Sequence, residues 1–237
     1  MTIDKSHSSS VEKKSSEEGT VTQIEYQTTY EKKNFKKNAV VYLPPNYDSK
    51  TPRNIIYLLH GSTESADHFF REGNFKEILD KLNQQKKLQN TIVVFPTYYP
   101  SRDFVTSDYY ADFKLNDQFA KNELINDLIP AVEGKYHTYA NGISQNEFKD
   151  SRNHRAFGGF SMGAVTTWQV FENDMDYFST FIPMAGDSWT IKNDGGALAS
   201  SQTASKLAEA TRSDSPFKIL ASVGSNDGTQ SSMNPQI

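Results

Sequence analysis

From Thr20 onward, short apolar runs alternate with segments whose apolar residues recur at helical spacing. Positions 39–43, 55–59, 92–95, 155–160, 181–184 and 217–223 are short and rich in β-branched or aromatic residues, which predicts a strand at each. Several are apolar at successive rather than alternate positions, the pattern of a strand buried on both faces in a parallel sheet. Between them Phe75, Ile78, Leu79 and Leu82 share one helical face, and Phe119, Leu124, Ile125, Leu128, Ile129 and Val132 share another. Pro130 has no N–H to give to a helix, so the second helix is expected to kink or restart there. This alternation predicts an α/β fold: one domain with a mostly parallel sheet and helices on both faces.

Residues 1–20 show no such pattern and consist largely of Ser, Lys and Glu, so they are expected to form a disordered tail or linker before a domain at 21–237. Two connections are long, roughly 97–116 and 186–204, and both leave the carboxyl ends of predicted strands, where open α/β sheets place their ligands. The chain has 237 residues and a formal net charge of −4, with Lys and Arg scattered among acids, so no nucleic-acid partner is expected. It has no cysteine, which rules out disulfides and thiolate metal ligands. No apolar run is long enough to span a bilayer or form a signal-peptide core, so no membrane partner is expected and no export signal is read.

The chemistry begins at Gly158-Gly159-Phe160-Ser161-Met162-Gly163. A G-x-S-x-G pattern between a strand and a helix describes a nucleophile elbow, with Ser161 as the nucleophile. Glycines flank it because the strand and helix backbones approach too closely for a Cβ. A glycine-rich turn that merely carries a serine is the plain alternative. His60-Gly61-Ser62 ends the strand at 55–59, where such folds place one oxyanion N–H; the other comes from the residue after the nucleophile, and an ordinary turn with a buried histidine is the plain alternative for this segment. Met162 is therefore one expected oxyanion donor, and the loop after the strand at 55–59 supplies the other. Gly224-Ser225-Asn226-Asp227 follows the strand at 217–223, the position of the acid in the chain order Ser, Asp, His. Asn-Asp-Gly is also ordinary turn chemistry.

All five histidines, His7, His60, His68, His137 and His154, precede Ser161. None has the position from which an imidazole bridges Ser161 and Asp227, so the chain is expected to be a C-terminally truncated serine esterase lacking its last strand and helix. An unpaired edge at 217–223 and low stability are expected with it. Asp103, Asp108, Asp112 and Asp117 lack the central glycine and closing glutamate of a calcium loop and are read as a solvated face; no phosphate-binding loop appears. No metal or cofactor is expected. Tyr98, Tyr99 and Trp189, in the two long loops, are candidate substrate contacts, since aromatic faces suit a phenolic acyl group or a sugar ring; Tyr109 and Tyr110 share that setting, and partial burial as loop anchors is the plain alternative for them all.

The ordered set Val41-Tyr42-Leu43-Pro44-Pro45-Asn46-Tyr47, Ile56-Tyr57-Leu58-Leu59-His60-Gly61, His154-Arg155-Ala156-Phe157-Gly158-Gly159-Phe160-Ser161-Met162-Gly163 and Val223-Gly224-Ser225-Asn226-Asp227 resembles carbohydrate esterase family one, the feruloyl and acetyl xylan esterases. The resemblance extends to esterase D and to siderophore and mycolate acyl enzymes. It implies an α/β-hydrolase fold, cofactor-free ester hydrolysis, Ser161 as nucleophile, Asp227 as triad acid, and Ser62 and Met162 as oxyanion donors. It also implies acylated xylan or a small aromatic ester as substrate and an extracellular setting. The departure is the missing triad histidine. The alternative is a non-catalytic relative whose cleft binds a glycan or an aromatic ligand.

Overall fold

The computed structural model describes residues 17–211 and 215–236; the expected tail lies outside them as far as residue 16. A seven-stranded sheet runs in the order β1-β2-β4-β3-β5-β6-β7. Its strands are β1 (Thr20–Tyr30), β2 (Lys33–Leu43), β3 (Asn54–Leu59), β4 (Thr91–Phe95), β5 (Arg155–Phe160), β6 (Thr180–Met184) and β7 (Lys218–Ile219). From β4 to β7 neighbours are parallel, whereas β1 and β2 are antiparallel to each other and β2 is antiparallel to β4.

The β1–β2 hairpin is the main departure from the pattern reading. Ile24, Tyr26, Thr28 and Tyr30 are buried on alternate positions, the signature of a strand with one covered face. Glu31 and Lys32 connect the strands with φ of 47° and 65°, the paired left-handed geometry of a two-residue hairpin whose twist matches its strands. Gly19 N–H donates to Asp80 Oδ1 at 2.8 Å, which ties the chain down just before β1.

Helices α1 (Ala66–Glu72) and α2 (Phe75–Gln84) cover one face of the sheet, where Phe69, Phe70 and Leu79 pack against Val93 and Phe95. The other face carries the larger core. There α3 (Asp112–Gln118) runs without a break into a π-helical stretch, Phe119–Leu128, and on into α4 (Ile129–Glu133). The helix resumes its α form at Pro130, which lies in the first turn of α4 where an N–H is dispensable. Lys37 on β2 is tied to this helix by a buried pair with Glu123 at 2.5 Å, and Tyr26 donates to the same carboxyl oxygen at 2.7 Å.

Beyond α5 (Gln145–Asp150), β5 begins at Arg155, whose guanidinium makes a buried two-pronged contact with Glu133 of α4 at 2.7 and 2.9 Å. Helix α6 (Met162–Asn173) follows β5 and is buried on nearly every side; its β-branched Val165, Thr166 and Thr167 are held by packing rather than by helix propensity. Helices α7 (Gly195–Leu198), α8 (Ser200–Ala210) and α9 (Gln230–Met233) complete the described chain.

The strand expected at 217–223 contracts to the two residues of β7 plus a bridge between Met184 and Ser222. Ladder bonds nevertheless continue along it, from Leu220 N–H to Phe181 O at 2.8 Å and from Ser222 N–H to Pro183 O at 3.1 Å. Leu220 is 57% exposed at this edge. Among the described residues no helix is long and apolar enough to cross a membrane.

Candidate active site

Register sets the site. Leu59 pairs with Gly159 and Phe160 with Met184, so β3, β5 and β6 end side by side, and the turn after β7 closes the row. Ser161 sits between β5 and α6 with φ 55° and ψ −115°, a sparsely populated conformation for a residue with a Cβ. Such strain costs on the order of 1–3 kcal/mol and persists only where surroundings enforce it. The enforcement is backbone contact: a Cβ on Gly159 would lie 2.3 Å from Gly163 O, and one on Gly163 would lie 2.4 Å from Leu59 O. Ser161 N–H is fixed to Met184 O at 2.9 Å.

The loop after β3 faces the elbow, where a Cβ on Gly61 would stand 3.3 Å from the Cβ of Ser161. Its amides are sorted by partner. Gly61 N–H donates to Glu64 Oε2 at 2.9 Å and Thr63 N–H to Tyr99 Oη at 2.9 Å. Among the described residues nothing accepts from the Ser62 N–H between them, nor from Met162 N–H at the start of α6. The amides of Ser62 and Met162 thus have no partner among the described residues, and both residues line one cavity of about 700 Å³ together with Ser161.

Asp227 lies in the turn after β7, beside Gly228 and Thr229 at the cavity's other side. Its Oδ1 accepts from Thr229 N–H at 2.8 Å and Thr229 Oγ1 at 2.6 Å, bonds that lower its pKa below the usual carboxylate value. Oδ2 takes no hydrogen bond among the described residues. A second acid, Asp187, lines the cavity and is not marked by the sequence pattern. Its oxygens are occupied by Trp189 Nε1 at 3.1 Å and Gly196 N–H at 2.7 Å, and burial raises its pKa.

The histidines behave differently from one another. His60 is fully buried: its Nδ1–H donates to Gly61 O at 2.7 Å and its Nε2 accepts from Thr97 Oγ1 at 2.7 Å. Burial pushes its pKa down to about 4, so it is neutral and closed to substrate. His154 stacks on Tyr139 at 3.5 Å and bonds Asn54 at the amino end of the sheet, and His137 bonds Ser49 O at 2.7 Å. Of the described histidines only His68 reaches the cavity, on the Glu64 side, with 3.7 Å between its Nδ1 and Glu64 Oε1. His7 lies outside the described residues.

The aromatic expectation needs correction. Trp189 lines the cavity, but Tyr98 and Tyr99 are 1% and 2% exposed and do not. They lie behind the loop at Gly61 to Thr63, with His60 stacked on Tyr99 at 5.8 Å, which leaves no ring face for a ligand. The ring that does reach the cavity beside Trp189 is Tyr109, 44% exposed. Tyr110 stacks on Trp189 at 5.4 Å and donates to Asp194 at 2.8 Å, joining the two long loops. Asp112 departs from the solvated-face reading as well: it is fully buried, whereas Asp103 and Asp108 are exposed. Among the described residues no cluster of His, Asp or Glu is arranged to hold a metal ion.

A serine held at this strained turn between strand and helix, at the carboxyl edge of a mostly parallel sheet, defines an α/β-hydrolase. The family model for putative esterases matches residues 32–236, and the chain belongs to that family, within carbohydrate esterase family one; its class is carboxylic ester hydrolase. It is 35% identical over 213 residues, 88% of the chain, to endo-1,4-beta-xylanase Y of Acetivibrio thermocellus, of whose length it spans only 18%. A solved feruloyl esterase module from Clostridium thermocellum, a serine-to-alanine mutant complexed with sinapinate, is 33% identical. That comparison covers 93% of this chain and 72% of the module, with a TM-score of 0.74. A solved structure described as FAE is 34% identical over the same shares, with a TM-score of 0.76.

Proposed function

We propose that this chain is a serine carboxylesterase that removes feruloyl or acetyl groups from xylan outside the cell. The observation that carries the reading is Ser161 on its strained elbow, sharing one cavity with Ser62 and Met162, whose N–H groups have no partner among the described residues. Ser161 Oγ attacks the ester carbonyl, and the two amides receive the charge that develops on the carbonyl oxygen. Asp227, with Oδ2 uncommitted, orients the imidazole that takes the serine proton and returns it to the leaving alcohol. That imidazole is supplied from outside residues 17–236, since the described histidines are closed, distant or on the Glu64 side. Water then releases the acyl group as a carboxylic acid.

Substrate class follows from the cavity lining. Tyr109 offers an exposed ring and the largely buried Trp189 lines the space beside it, while Glu64, Asp187 and Asp194 supply acidic groups and, among the described residues, no Lys or Arg lines the space. A neutral aromatic ester suits this lining better than an anionic one. The xylanase and feruloyl esterase relatives support the same class. In the full-length protein, Ser161→Ala is expected to abolish turnover of methyl ferulate and p-nitrophenyl acetate; retained turnover would refute the assignment. The second reading, a non-catalytic relative that binds a glycan or aromatic ligand, is favoured by the lack of a suitably placed histidine among the described residues. It predicts xylan or ferulate binding with no ester turnover by the full-length protein.

A further inference from the structure

Asp112 opens α3 in the centre of the protein, fully buried, yet one of its oxygens gathers three hydroxyl groups. Oδ2 accepts from Ser62 Oγ at 2.6 Å, Tyr99 Oη at 2.7 Å and Tyr98 Oη at 2.9 Å. Each of these leads to the loop after β3. Ser62 is the loop residue whose amide has no partner among the described residues; Tyr99 accepts from the N–H of Thr63; Tyr98 Oη, its hydrogen given to Asp112, lies 3.4 Å from Gly61 O. The loop needs such support, because Thr63 is a β-branched residue held at φ 65°. A left-handed β-branched residue is a strained exception.

The geometry points to Asp112 as the positioning residue of the oxyanion loop. Through Ser62 Oγ it fixes the residue whose unpartnered N–H shares the cavity with Ser161, and through Tyr99 it takes the neighbouring Thr63 N–H out of competition. Arg102, donating to Thr63 O at 2.9 Å and Glu64 O at 2.5 Å, secures the same loop from the solvent side. With the buried anchor removed, the loop relaxes from its strained form and the Ser62 N–H no longer points at a fixed place. Ground-state binding by Trp189 and Tyr109 does not pass through this anchor, so the loss falls on the transition state alone. The inference rests on the serine-esterase reading above.

The test uses the full-length protein and the variants Asp112→Ala, Asp112→Asn, Ser62→Ala, Asp112→Ala with Ser62→Ala, and Tyr99→Phe. Losing one oxyanion donor typically lowers kcat on the order of 10²-fold, and Asp112→Ala is expected to approach that on methyl ferulate with KM nearly unchanged. Affinity for a boronic-acid mimic of the tetrahedral intermediate should fall in step with kcat, while affinity for the unreactive amide analogue ferulamide should hold. Because Ser62 and Asp112 act as one unit, the double variant should be no slower than Asp112→Ala alone. Tyr99→Phe removes one link of the anchor with little change of shape and should show the same kcat-only loss, which keeps the idea testable if the Asp112 variants do not fold. Wild-type kcat in folded Ser62→Ala and Tyr99→Phe, or a loss of ferulamide binding equal to the loss of kcat, overturns the inference. Turnover surviving in Ser161→Ala would instead overturn the serine-esterase reading itself, and the inference that rests on it.

Discussion

His60 is the most quantitative handle on the site's support. Its ring lies between Gly61 O, which can only accept, and Thr97 Oγ1, so the neutral tautomer with hydrogen on Nδ1 fits both partners. Its pKa falls from 6.5 to about 4 because burial penalises the charged ring, with Lys37 and Arg102 adding to the effect. The folded protein therefore resists a proton that the unfolded chain accepts. The stability this confers is fully present above pH 6.5 and is lost as pH falls toward 4. At about 1.4 kcal/mol per pH unit, the gap amounts to about 3 kcal/mol in full, and to about 2 kcal/mol between about pH 7.5 and pH 5. Urea unfolding of wild type and His60→Gln at those two pH values isolates this contribution, because other titrating groups act on both proteins. Wild type should lose about 2 kcal/mol more than the variant between them. Equal losses, or an imidazole NMR titration centred near 6.5, would refute the buried neutral ring.

Other substitutions probe the elbow, the acid and the acyl site. Gly159→Ala places a Cβ against Gly163 backbone and should destabilise by at least the ~1–3 kcal/mol typical of overpacking, with loss of activity; unchanged thermal stability would mean that the elbow can open freely. Asp227→Asn should lower kcat by on the order of 10⁴-fold in the full-length protein, as expected for a triad acid; an equal loss in Asp187→Asn with Asp227→Asn active would move the role to Asp187. Tyr109→Ala, at an exposed ring, should raise KM for methyl ferulate more than for p-nitrophenyl acetate with melting temperature nearly unchanged, and equal KM effects would remove the ring from the acyl site.

Where function hangs on local backbone contact, the sequence is easy to read. The elbow glycines, the loop at His60-Gly61-Ser62 and the turn at Asp227 each lie next to the strand that positions them, so motif and place coincide. Strand β1 is harder to see, because an edge strand with one covered face shows only Ile24, Tyr26, Thr28 and Tyr30 among polar residues. The π-helical stretch leaves no mark either, since Phe119, Leu124, Ile125 and Leu128 stay inside in either winding. Burial of Asp112, Tyr98 and Tyr99 is a tertiary property: acids and tyrosines in a polar loop look exposed until α3 carries them behind β3.

The central claim is that Ser161 is an activated nucleophile. Incubating the full-length protein with a fluorophosphonate probe, then mapping the adduct by peptide mass spectrometry, tests it directly. A single stoichiometric adduct on Ser161, formed in parallel with loss of methyl ferulate turnover and absent from Ser161→Ala, is the expected result. Loss of turnover with the adduct on another residue, or full turnover after Ser161 is labelled, would contradict the account.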